Sequence, residues 1–125
     1  QQRSKGFRGL PHSLIGAFAA MHPKSVRVVI ATQHQTPIAA MLFLLHRPVA
    51  TYHIGWTSAR GRAVCAHHRM IVTAADLLAQ RGYHRLDLGM VDTDTAPGLA
   101  RFKIGTGAQV RPLGGTWVRL PWCAR

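Results

Sequence analysis

Residues 63–81 constrain the fold more than any other part of the chain. Ala63, His67, Met70, Ile71, Ala74, Leu77 and Leu78 recur on one helical stripe, and Gly82 stands where a C-terminal cap belongs. Strand patterns flank this helix. Residues 51–56 alternate, with Tyr52, Ile54 and Trp56 on one face and Thr51, His53 and Gly55 on the other. Residues 84–91 alternate again, with Leu86, Leu88 and Met90 opposite Asp87 and Gly89. A helix of about five turns between two strands makes a right-handed crossover, so the two strands are expected to run parallel.

The remaining elements follow from shorter signals. Ser13 is a natural N-cap, Leu14, Phe18 and Met21 recur at helical spacing, and Pro23 lies just beyond, so 13–21 reads as a short helix. Residues 26–32 and 38–45 are apolar runs around the polar link His34 to Pro37, the pattern of a largely buried hairpin. Arg47 and Pro48 turn the chain into 51–56, the third strand of an antiparallel meander. After Asp92 to Thr95, which offers N-caps, a short helix is expected over 96–102 with Pro97 in its first turn. Gly114 and Gly115 then join strands at 108–113 and 116–120 in a C-terminal hairpin. The fold class is α/β with a mixed sheet. A length of 125 residues and 47% hydrophobic composition fit a single domain with one core. The longest apolar run has eight residues, too short to span a bilayer as a helix.

Charge narrows the partners. Sixteen Lys and Arg against four Asp and no Glu give a formal +12, and thirteen of the cations are Arg. Such a field attracts polyanions: nucleic acid, nucleotide cofactors or an anionic surface. The cations run from Arg3 to Arg125 without forming a block, so compositional bias is the competing explanation. Cys65 and Cys123 form neither a Cys-x-x-Cys pair nor a disulfide framework, and no signal-peptide core follows Gln1, so a cytoplasmic address is expected.

Among the motifs, the loop 57–62 leads from a strand into the long helix. Gly61 between Arg60 and Arg62 makes a candidate phosphate cradle, beside the alternative of an ordinary capped turn with solvated arginines. Gly105-Thr106-Gly107 fails the dinucleotide fingerprint because it follows a helix, and there is no nucleophile elbow or Walker loop. Of eight histidines none lie four apart on the long helix, which argues against a zinc site; His67 is expected to pack in the helix stripe. Asp87, an acid on an interior-looking strand, is either a structural partner for an Arg or a site residue.

Several stretches taken together resemble a known family. They are 50–57 (ATYHIGWT), Gly61-Arg62 followed by Ala66-His67-His68, 86–89 (LDLG), 96–107 (APGLARFKIGTG) and 113–117 (LGGTW). Their order and spacing are similar to the C-terminal region of FemAB-like GNAT acyltransferases, over nearly the whole chain. The resemblance implies a GNAT-like sheet that binds acyl-CoA, such as acetyl-CoA, where two parallel strands splay, with the pyrophosphate on the loop before the crossover helix. On that loop it assigns cofactor binding to Ser58, Arg60, Gly61, Arg62 and Ala63, although Ser58 replaces the usual leading Arg or Gln. FemAB relatives take an aminoacyl group from charged tRNA instead and add it to a cell-wall precursor. Lys103, in the Phe-Lys pair of that family, becomes a candidate for stabilising developing negative charge or an acceptor phosphate, with a surface lysine at a helix end as the alternative. Asp87 and His53 are the candidate bases. The usual general-acid tyrosine has no obvious counterpart, and no metal is implied.

The function expected is thus N-acyl transfer from acyl-CoA or aminoacyl-tRNA to an amine acceptor. The contrasting expectation is a non-catalytic basic RNA-binding or accessory module. The family also carries a first strand and an N-terminal half before this region. An incomplete domain is therefore expected, with the bare edge of the opening hairpin as a route to a homodimer.

Overall fold

The computed structural model describes residues 12–115. Helix α1 (His12–Met21) and a short 3-10 turn (Pro23–Ser25) lead into strands β1 (Val26–Gln33), β2 (Thr36–His46) and β3 (Val49–Thr57). Helices α2 (Ala59–Ala63) and α3 (Ala66–Gln80) follow, then β4 (Arg85–Asp87) and α4 (Pro97–Gly105). The four strands form one mixed sheet in the order β1-β2-β3-β4. The first three are antiparallel, and β3 and β4 are parallel, as the crossover requires.

His34 and Gln35 both adopt positive φ, 47° and 64°, at the tight turn between Gln33 and Thr36. Two consecutive positive φ values fit the I′ class, whose twist matches that of a hairpin. The β2–β3 turn passes through a cis Arg47–Pro48 bond.

The meander departs from simple alternation at His53. Leu42 faces Ile54 but Phe43 faces Tyr52, so His53 is an extra residue in β3, a bulge. Its effect is to reverse the expected faces beyond that point. Tyr52 is buried, and Gly55 joins it on the same face of the sheet, whereas Trp56, expected beside Tyr52, is 43% exposed.

The expected helix over 63–81 is two helices. Cys65 sits between them in the left-handed region (φ 50°, ψ 38°), which ends α2 and re-aims the chain into α3. Ala63 therefore belongs to α2 and is exposed, while Met70, Ile71, Ala74 and Leu78 bury the core side of α3. They pack on Ala39, Met41, Phe43, Leu45, Ala50 and Tyr52 of the sheet, with Leu88 and Phe102 completing the core. Leu77, placed on the stripe by its spacing, is 44% exposed.

The strand expected over 84–91 is only three residues long. Gly89 takes φ 72° and donates its N–H to Asp87 Oδ1 at 2.7 Å, so the chain turns out of the sheet after Asp87. Helix α4 runs three residues beyond the expected 102. Residues 108–113 carry no strand, and 116–120, the expected second half of that hairpin, lie outside the described residues. Among the described residues no helix is long and apolar enough to cross a membrane.

Candidate functional site

The parallel pair is short, and its shortness makes the site. β3 pairs with β4 only through Val49, Ala50 and Thr51, opposite Arg85, Leu86 and Asp87. β3 then continues to Thr57 while the chain after Asp87 swings away. A cavity of about 530 Å³ opens there, at the carboxyl ends of the parallel strands, where α/β sheets commonly take ligands. Tyr52, Gly55 and Thr57 form its floor, Gly61, Arg62 and the residues from Cys65 to His68 contribute one wall, and the residues from Thr95 to Leu99 with Phe102 contribute the other.

Tyr52 is held by rings on both sides. Its centroid lies 5.9 Å from that of Phe43 and 6.3 Å from that of Phe102. Burial pushes its hydroxyl up to about 12, so the group is an O–H donor at neutral pH. The folded state therefore keeps a proton that the unfolded state releases near pH 10, and stability falls as pH rises from there through about 12. Wild type should lose about 2 kcal/mol over that range, and Tyr52→Phe should lose correspondingly less, as read by urea titrations at each pH.

His67 lies in the first turn of α3, with Nε2 at 2.9 Å from the Trp56 carbonyl oxygen. A carbonyl can only accept, so Nε2 carries the hydrogen of this bond and Nδ1 is the ring nitrogen left for another partner. Phe102 packs against both histidines, 5.8 Å from His67 and edge-on at 5.1 Å from His68. Asp92 braces Thr95, which lines the opposite wall. It accepts hydrogen bonds from the Thr95 hydroxyl and from the backbone N–H groups of Thr95 and Asp94, and these hold its carboxyl below the usual range.

The loop residues singled out by sequence have distinct placements. Ser58 is the N-cap of α2: its Oγ accepts from Gly61 N–H and donates to the Ile38 carbonyl, both at 3.0 Å. Gly61 is buried against that same carbonyl, so its lack of a side chain serves close backbone approach. Arg60 turns away from the cavity, its Nε donating to Gln33 Oε1 at 2.8 Å. Arg62 lines the cavity, with one guanidinium nitrogen on the Thr57 carbonyl at 3.1 Å. Ala63 ends α2 and is not in the lining.

Lys103, Asp87 and His53 do not line the cavity. Lys103 is 7% exposed and donates from Nζ to the Met90 carbonyl at 2.7 Å, tying the segment after β4 to α4. Burial lowers its pKa, an effect opposed by the Asp87 carboxylate. His53 occupies the bulge. The residues that the cavity does bring together, beyond Gly61 and Arg62, are Tyr52, Cys65, His67, His68 and Phe102. Spacing could not assemble them, because Tyr52 and Gly55 share a face only through the bulge. Among the described residues no group of three or more His, Cys, Asp or Glu is placed to hold a metal ion.

Comparison with known proteins returned no match: no family model, no curated protein and no solved structure is significantly similar to the chain.

Proposed function

We propose that this chain is a GNAT-like acyltransferase domain that moves an acyl group from a polyanionic donor, acyl-CoA in the first instance, to an amine. The observation that carries the reading is the cavity between the parted parallel strands, with the start of α3 and Arg62 on one wall. The first N–H groups of a helix lack intrahelical partners and lie at the positive end of its dipole, so an anion is favoured beside them. Arg62 adds a permanent cation there and +12 overall charge draws such donors in.

Acyl-CoA, when bound, supplies an activated thioester carbonyl. Arg62 and the opening turn of α3 would hold its phosphates, and Tyr52 and Phe102 would shield its reactive end from water. His67, fixed by Trp56, presents Nδ1 as the acceptor for the proton the attacking amine must lose. Tyr52, protonated at neutral pH, is a hydrogen-bond donor on the floor of the same cavity.

Acetyl-CoA should raise the melting temperature, since a ligand bound only by the folded state stabilises it. Arg62→Ala should weaken its binding by about tenfold or more, the loss of one charge-assisted contact. Arg60→Ala, whose guanidinium is engaged by Gln33, should bind normally. Calorimetric titration checks both. Equal affinities in wild type and Arg62→Ala would remove the cation from the site, and no binding of acetyl-CoA or of charged tRNA would remove the function.

A further inference from the structure

The lining of the same cavity is mostly apolar, and we infer that it accepts an apolar acyl chain of medium length, about eight carbons. The inference rests on the acyl-donor reading and concerns only the acyl group. A volume of about 530 Å³ is within the range of cavities that hold a whole small ligand. Its depth is walled by Tyr52, Ala66, Leu99 and Phe102, and the two residues among these with large rings, Tyr52 and Phe102, pack on each other. Polar capacity is confined and partly spent: His67 Nε2 is bonded to Trp56, and Arg62 is bonded to Thr57 on the α2 side. An acetyl group has a single methyl to set against this apolar wall. Each added methylene that reaches it is driven inward by the hydrophobic effect.

Gly98 provides a test that leaves the fold alone. It lines the cavity from the first turn of α4, and a Cβ placed on it would meet nothing within 4 Å. Gly98→Leu therefore adds an apolar side chain at the lining, at a position where its Cβ has room, and removes a helix-weakening glycine.

Calorimetric titration of the full chain with acetyl-CoA, octanoyl-CoA and octanoyl-pantetheine reads the two proposals separately. Octanoyl-CoA should bind about 100-fold more tightly than acetyl-CoA, roughly half of what six fully buried methylenes would give. Gly98→Leu should erase most of that advantage, read as the ratio of the two affinities in each protein. Equal binding of acetyl-CoA and octanoyl-CoA would overturn the chain-length inference and leave the donor reading standing. An octanoyl preference unaffected by Gly98→Leu would also overturn it, since the chain would then lie elsewhere. Binding of octanoyl-pantetheine as tight as that of octanoyl-CoA would support the apolar site and remove the phosphate contacts. Failure of all three ligands to bind would overturn the chain-length inference and, with charged tRNA failing as well, the donor reading.

Discussion

Gly61→Ala is expected to destabilise the protein by about 3 kcal/mol or more, at the upper end for adding a single methyl group. The added Cβ would land on the Ile38 carbonyl oxygen, well inside van der Waals contact, and 2.5 Å from Thr57 Oγ1. Neither neighbour can move cheaply. The Ile38 carbonyl accepts from both the backbone N–H (2.9 Å) and the hydroxyl (3.0 Å) of Ser58, and Ser58 in turn caps Gly61. Relief of the clash would pull the end of β2 away from α2 and uncap that helix. By comparison, Ser58→Ala removes the cap and the hydroxyl's bond to the Ile38 carbonyl but adds no clash, and should cost about 1 to 2 kcal/mol. Gly98→Ala, with open space around its Cβ, should be neutral or stabilising. Urea midpoints at constant m-value rank the three. A Gly61→Ala protein within about 0.5 kcal/mol of wild type would mean that α2 does not sit against β2 as described.

Phe102→Ala should cost about 3 to 5 kcal/mol, the usual range for deleting a buried aromatic side chain. Phe102 is 9% exposed and touches the rings of Tyr52, His67 and His68, so it joins α4 to both β3 and the start of α3. It is also a wall of the cavity. The same substitution should therefore weaken acyl-CoA binding by about tenfold or more through lost apolar contact. Phe102→Leu keeps most of the volume and should lose less than half as much stability. Chemical denaturation and calorimetric titration of both variants are the measurements. Full acyl-CoA affinity in a folded Phe102→Ala protein would detach α4 from the ligand site.

The sequence made the crossover legible because the pattern behind it is local: a helical stripe between two alternating segments requires no knowledge of partners. The meander was equally legible from two apolar runs and their turns. What could not be read depends on pairing. The bulge at His53 exists only in the register of β3 against β2, so a single-strand alternation rule put Trp56 with Tyr52 and Gly55 opposite. The break at Cys65 is a backbone excursion into a region that glycine usually supplies, and no glycine marks it. Of the candidate site, Gly61 and Arg62 were placed on the cavity by their loop, but Tyr52, His67, His68 and Phe102 meet through three separate elements. Lys103 was found by resemblance, and its burial and its bond to the Met90 carbonyl depend on the turn after β4, which position along the chain does not reveal.

One added residue means that the ladder, and not the spacing along the chain, decides which side chains of β3 reach the cavity. Deletion of His53 would leave Tyr52 opposite Phe43, Ile54 opposite Leu42 and Gly55 opposite Met41 in a regular ladder, so the floor would keep its residues and lose only the local bend. Absorbing His53 into the ladder by a one-residue slip of the segment behind it would do the reverse, laying Ile54 and Trp56 on the floor and turning Gly55, now beside the Tyr52 hydroxyl, outward. In a library of this protein, a scan that varies chain length should therefore find a tolerated deletion at position 53.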